Sequence, residues 1–128
     1  MQRYLDASAL VKLVVREPES RALGRWLGSR DDIASCALAR TEVVRALSPS
    51  GDAARARARQ LLDKIELIQL DDELLDVAGE LEGVLRSLDA IHIAAALELG
   101  DELDAVVTYD ARMSRAAEAL GLPIAAPL

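Results

Sequence analysis

Short runs of apolar, β-branched residues alternate along the chain with longer segments in which apolar positions recur every three to four residues. The short runs fall at 3–6, 32–36, 66–70, 104–108 and, weakly, 123–125. The helical segments fill the gaps at 8–16, 18–27, 38–47, 52–65, 71–85, 89–99 and 112–120. Strands alternating with helices predict an α/β fold: a parallel sheet of about five strands with helices on both faces. Several ends are marked by residues with a physical reason to be there. Pro18 suits a first helical turn, Ser48-Pro49-Ser50-Gly51 separates two helices, and Gly100 and Gly121 sit where a left-handed C-terminal residue is wanted. No repeat, linker or low-complexity tract interrupts the pattern, so one domain over 1–128 is expected. Two helices carry apolar stripes, Leu23, Trp26 and Leu27 on one, and Ala54, Ala58, Leu61, Leu62 and Ile65 on the other. Both are expected to pack on the domain's own sheet, with a partner or dimer surface as the alternative, while Arg55, Arg57 and Arg59 form a solvated face.

Composition narrows this further. The chain holds 23 Ala and 22 Leu but no Phe, one Trp and two Tyr, which favours closely packed helices and disfavours an all-β fold. Its 22 acidic residues outnumber 15 basic ones, for a net charge of −7. No whole-molecule cationic field exists to attract nucleic acid, so any such binding is local. Cys36 is the single cysteine and lies in an apolar run. That excludes an internal disulfide or a cysteine zinc cluster, and it reads as a small buried hydrophobe in a reducing compartment. No apolar stretch approaches the roughly 18 residues of a membrane span, and Asp6 and Lys12 interrupt the N-terminal segment, so a cytoplasmic protein is expected.

In an open parallel sheet, ligands collect beyond the carboxyl ends of the strands. The first strand ends in Asp6, and the fourth runs through Val106-Val107-Thr108 into Tyr109-Asp110. Asp89 opens a helix that is apolar almost all the way round, and Glu42 lies at the border of a helix's apolar face beside Ala39 and Ala46. Taken singly, the three aspartates read as helix N-caps and Glu42 as a boundary charge. Taken together, four acids set against apolar sequence fit a magnesium-type site, because hard cations take oxygen ligands. Without a cation such a cluster repels itself, by roughly 4 kcal/mol for a pair about 4 Å apart at an effective dielectric of about 20.

The segments Tyr4-Leu5-Asp6-Ala7-Ser8-Ala9-Leu10-Val11-Lys12, Thr41-Glu42, Ser87-Leu88-Asp89-Ala90-Ile91-His92-Ile93-Ala94-Ala95-Ala96-Leu97 and Val107-Thr108-Tyr109-Asp110-Ala111-Arg112-Met113, with Gly121-Leu122, resemble the PIN domain family, specifically VapC-type ribonuclease toxins. The resemblance covers nearly the whole chain. It implies a PIN-like domain and a Mg2+- or Mn2+-dependent endoribonuclease that hydrolyses RNA phosphodiesters through a metal-activated water. Asp6, Glu42, Asp89 and Asp110 match the family's acidic quartet, both catalytic and metal-holding, and Ser8 matches the small hydroxyl residue that supports the first acid. It also implies a cognate antitoxin protein lying across the helices and a homodimer of the toxin, for which the Leu23, Trp26 and Leu27 stripe is the candidate docking surface.

One departure concerns the metal count. Relatives often carry further polar or acidic residues after the fourth acid, whereas Ala111, Arg112 and Met113 follow Asp110 here, so one ion is expected. Arg45, Arg86 and Arg112, each near an acid in sequence, are candidate RNA phosphate ligands. Tyr109 is expected to pack rather than stack on a base, and His92 to pack or hydrogen-bond rather than act as a base. A phospho-acceptor module is disfavoured because neither Lys12 nor Lys64 follows a late strand. The other alternative, a PIN-like scaffold that binds RNA or protein without cutting, is opposed by the presence of all four acids.

Overall fold

The computed structural model describes residues 1–128. Five strands, β1 (Gln2–Leu5), β2 (Ile33–Cys36), β3 (Glu66–Ile68), β4 (Leu103–Val107) and β5 (Ile124–Ala125), form one sheet in the order β3-β2-β1-β4-β5. Every neighbouring pair is parallel, with Tyr4 of β1 in register with Ala34 on one side and Val106 on the other. Seven helices connect them: α1 (Ala7–Val14), α2 (Ser20–Leu27), α3 (Ala39–Ala46), α4 (Asp52–Lys64), α5 (Asp72–Glu80), α6 (Ser87–Glu98) and α7 (Ala111–Ala119). The sheet order reverses at β1, since β2 and β3 build outward on one side and β4 and β5 on the other.

A parallel sheet buries both faces, and successive side chains of a strand point to opposite faces. Leu5, Ile33 and Val107 join the core built by α1, α2, α3 and α4, whereas Tyr4, Cys36 and Val106 join the core under α5, α6 and α7. The Ala-rich α6 is the most enclosed helix, with Ala90 and every residue from His92 to Ala96 buried. Three small alanines in succession let it lie close to the sheet.

Some expected boundaries move. Helix α5 ends at Glu80 rather than running to 85, because Leu81 and Leu85 reach the second core from an irregular connection in which Gly83 holds a φ of 105°. Helix α6 begins at Ser87, so Asp89 lies inside its first turn and is not its N-cap. Pro18 lies in the turn before α2 instead of opening that helix. Ala46 is exposed, so the apolar face beside Glu42 is carried by Ala39 and Val43.

The proposed docking stripe is corrected as well. Leu23 and Leu27 are buried in the chain's own core and present nothing to a partner. Only Trp26 is exposed, and the Arg3 guanidinium lies 5.1 Å from its ring centroid. The α4 stripe follows the simpler expectation, with Ala54, Ala58 and Leu62 buried and Leu61 and Ile65 packed against the same core. No helix is long and apolar enough to cross a membrane.

Candidate functional site

The reversal at β1 opens a crevice at the carboxyl ends of β1 and β4, where ligands bind in sheets of this kind. Asp6 follows β1 directly and caps α1, its Oδ1 accepting from Ala9 N at 3.1 Å. Asp110 follows β4 and caps α7, its Oδ1 accepting from Arg112 N at 2.8 Å. Helix α3 contributes Glu42 and helix α6 contributes Asp89. All four carboxylates, with Ser8, Arg86 and His92, line one cavity of about 360 Å³. A larger cleft of about 790 Å³, bordered by Arg16, Arg21 and Arg30, holds none of these acids.

Asp6 is the most enclosed of the four at 6% exposure. Burial raises its carboxyl above the usual value, against the hydrogen bonds from Ser8 and Thr108 that favour the charged form. Those two hydroxyls do more than solvate it. Ser8 Oγ donates to Oδ1 at 2.6 Å while accepting from Tyr109 N at 2.9 Å. Thr108 Oγ1 donates to Oδ2 at 2.5 Å while accepting from Asp110 N at 3.1 Å. Each hydroxyl takes an N–H from the turn after β4 and passes its own proton to the acid after β1, so the two strand ends are tied together. Ser8 was legible in the sequence. Thr108 was not singled out, although a hydroxyl two residues before a helix-capping Asp is itself a turn signal.

On the other side of the cavity, Arg86 joins Asp89 and Asp110. Its Nε donates to Asp89 at 3.0 Å and its Nη2 to Asp110 at 3.3 Å. A guanidinium thus stands between two of the acids, as a cation that lowers their mutual repulsion. Arg112 and Arg115 make no ion pair and line an adjoining cavity of about 490 Å³ that also touches Arg86 and Asp89. Arg45 is exposed one turn beyond Glu42 and outside the acidic cavity's lining. Tyr109 packs as expected, donating its hydroxyl to Pro127 O at 2.8 Å under Lys12.

Glu42 is held by His92, whose Nε2 lies 2.6 Å from Oε1. His92 is 3% exposed, its Nδ1 2.7 Å from the Tyr4 hydroxyl and 3.7 Å from Cys36 Sγ. Burial opposes a charge on this ring, but hydrogen bonds to Cys36 and Glu42 outweigh it and lift the pKa to about 10. The sequence indicated a histidine that packs or hydrogen-bonds but not its partner, because Glu42 and His92 meet only in the folded chain.

As arranged here, no three His, Cys, Asp or Glu side chains stand close enough together to enclose a metal ion. The donor chemistry nevertheless fits a hard divalent cation: four carboxylates, one of them desolvated, share a cavity in which two already bind the Arg86 guanidinium and a third pairs with the His92 ring.

The PIN domain family profile matches residues 3–119. Ribonuclease VapC46 of Mycobacterium tuberculosis is 51% identical over 125 residues, 97% of this chain and 96% of the relative. Ribonuclease VapC35 of the same species is 43% identical over 132 residues, again covering 97% and 96%. Among solved structures, M. tuberculosis VapC20, described as a toxin that cleaves the sarcin-ricin loop, superposes with a TM-score of 0.77 at 16% identity over 98% of this chain and all of that one. VapBC2 from Rickettsia felis, bound to a DNA fragment from its promoter, gives a TM-score of 0.68 at 16% identity over the full length of both chains. The doubly covered parallel sheet, the acids at its switch point and these likenesses converge: the chain belongs to the PIN domain family, on its VapC branch.

Proposed function

We propose that this protein is a metal-dependent endoribonuclease, the toxin of a toxin-antitoxin pair, built as one PIN domain over its whole length. The observation that carries the reading is the convergence of Asp6, Glu42, Asp89 and Asp110 on one cavity at the sheet's switch point. The names of its relatives, several of them ribonucleases at 39% to 51% identity, support it.

In this reading the four carboxylates hold one Mg2+ or Mn2+ ion. Such an ion, when bound, supplies a water of lowered pKa and neutralises charge on the phosphate oxygens. The protein supplies positioning. Asp6 is held by three donors, from Ser8, Ala9 and Thr108, and presents its remaining lone pairs to the cavity. Ser8 and Thr108 fix its distance from Asp110 by tying together the turns that carry both. Arg86 pairs with Asp89 and Asp110, and with a divalent cation on those oxygens its guanidinium would be free to turn toward an RNA phosphate. Arg112 and Arg115 border the adjoining cavity, and they take phosphates of flanking nucleotides. Arg45, exposed one turn beyond Glu42 and outside the cavity's lining, is a further candidate for an RNA phosphate. Water would add to phosphorus in line as the bond to the ribose oxygen breaks, the attacking water giving up one proton to solvent and the departing oxygen taking one up.

The proposal includes a second copy of the chain and a small antitoxin protein as partners. Trp26 remains exposed for such contacts, while Leu23 and Leu27 do not. The test is cleavage of a mixed RNA pool by purified, antitoxin-free protein in Mg2+, in Mn2+ and in EDTA, with Asp6→Asn as control for contaminating nuclease. Cutting that needs both the metal and Asp6 is expected. Binding of RNA without metal-dependent cutting overturns the enzyme in favour of a binding scaffold.

A further inference from the structure

Glu42 differs from the other three acids in how it reaches the cavity. Asp6 and Asp110 are short side chains at strand ends, each pinned by backbone N–H groups through its cap. Asp89 is short as well and lies in the first turn of a buried helix. Glu42 is longer, lies within the helix α3, and receives no backbone hydrogen bond. Its side chain is 24% exposed, so solvent competes for its oxygens and extended rotamers are open to it. Its one recorded side-chain partner is His92.

His92 is well placed to hold it. The ring stands one helical turn beyond Asp89 on α6, so the helix that supplies Asp89 directly also governs Glu42. A carboxylate only accepts hydrogen bonds, so Nε2 must carry the proton that Glu42 Oε1 receives. In the neutral ring Nδ1 then accepts from the Tyr4 hydroxyl, and in the charged ring it donates to that oxygen; both fit the 2.7 Å contact. Tyr4 is fully buried in β1, and its ring meets the imidazole edge-on at 75° with centroids 5.8 Å apart. The orientation of the imidazole is therefore set by the central strand. Oε2 of Glu42 accepts no hydrogen bond from the protein, and Glu42 lines the cavity.

We propose that His92, braced by Tyr4, is a positioning residue that fixes the Glu42 carboxylate as a ligand of the divalent cation, an inference that rests on the metal-site reading above. A ligand held by a buried partner binds metal more tightly than one that must be ordered at each encounter, and losing such a partner typically weakens metal affinity or activity by about 10- to 100-fold.

The test measures Mn2+ binding to the RNA-free protein by calorimetry, alongside kcat and KM for cleavage, in a series at positions 92, 42 and 4. His92→Leu and His92→Asn remove the donor at the Nε2 position and are expected to weaken Mn2+ binding about tenfold or more and to lower kcat with little change in KM. His92→Gln places an amide N–H near that position and is expected to recover most of both. Tyr4→Phe leaves the donor but frees the ring, and a smaller loss is expected. In a Glu42→Gln background the His92 substitutions are expected to add nothing further. Circular dichroism and a melting curve for each variant separate loss of fold from loss of the ligand. If Glu42→Gln weakens Mn2+ binding but folded His92→Asn and His92→Gln match the unmodified protein, the positioning role is wrong while the metal site stands. Should Glu42→Gln itself leave Mn2+ affinity unchanged, the reading of Glu42 as a ligand fails, and this inference falls with it.

Discussion

At the scale of single residues, Asp6 and Thr108 show that two members of one hydrogen-bond set respond oppositely to substitution. Asp6 is a buried carboxylate whose burial raises its pKa. A group with a raised folded pKa contributes stability below its unfolded value and loses it as pH rises through the folded one. At neutral pH the charge therefore opposes folding of the metal-free protein. Asp6→Asn keeps the shape, keeps an oxygen to accept from Ser8 and Ala9, and turns an amide toward Thr108 Oγ1. Its metal-free melting temperature is expected to equal or exceed that of the unmodified protein near pH 7. That margin shrinks as the pH falls into the range where Asp6 is protonated, and cleavage is lost at both ends. Thr108→Val has the opposite effect: it leaves Asp6 Oδ2 without its donor in a buried setting, which costs about 1–3 kcal/mol, and removes the acceptor of the half-buried Asp110 N, which costs less. Melting curves of both variants across pH decide the matter, and a destabilised Asp6→Asn at neutral pH refutes the account of its charge.

Among the elements, α6 is where reading the sequence worked best and where it also fell short. A segment apolar on every side has to be buried, and Ala90 and His92 to Ala96 are. The start of the helix was misplaced because Asp89 has the chemistry of a cap, yet Ser87 and Leu88 already form its first turn. The end of α5 was misplaced for a related reason. Leu81 and Leu85 keep a helical spacing, but tertiary packing uses them from a connection that Gly83 turns away from the helix. The strands were legible because each carries a short apolar core, such as Ala105-Val106-Val107 in β4, bounded by polar or turn residues. The four acids were legible because strand ends and helix mouths are local features. The links from His92 to Glu42 and from Thr108 to Asp6 were not, since they join residues 50 and 102 positions apart. The close packing of α6 has a measurable consequence. Ala95→Leu inserts three carbons where the side chain is fully buried, and overpacking of this kind costs about 1–3 kcal/mol. Because the same helix carries Asp89 and His92, melting temperature and cleavage rate are expected to fall together. Leu97→Ala on the same helix, at a 38% exposed position, is expected to cost about 0.5 kcal/mol or less and spare activity. Activity retained in a destabilised Ala95→Leu protein separates the helix's packing from the site.

For the whole molecule, where the acids sit matters more than the net charge of −7. Exposed charges further apart than about 8 Å are largely screened at physiological salt, so most of the surface acids contribute little repulsion. The acids in the cavity are different: Asp6 is almost fully buried, Glu42 and Asp89 are largely shielded, and the two cations beside them, Arg86 on Asp89 and Asp110 and His92 on Glu42, leave part of the charge of four carboxylates unbalanced. Repulsion that solvent does not screen is relieved by a cation bound among the carboxylates, and binding to the folded state alone stabilises by about 2.7 kcal/mol at 100 times the dissociation constant. For a chain of this length that amounts to a rise of roughly 10 °C in melting temperature. Saturating Mn2+ is therefore expected to raise the melting temperature by about that much, with EDTA returning it to the starting value. Sodium chloride at matched ionic strength should reproduce little of the rise, because it screens the outer charges without entering the donor set. Asp6→Asn, which lacks the most deeply buried donor charge, should respond weakly to Mn2+. An equal shift with sodium chloride, or an undiminished shift in Asp6→Asn, means that the cation acts on the molecule's general charge and that the four carboxylates do not form a binding site.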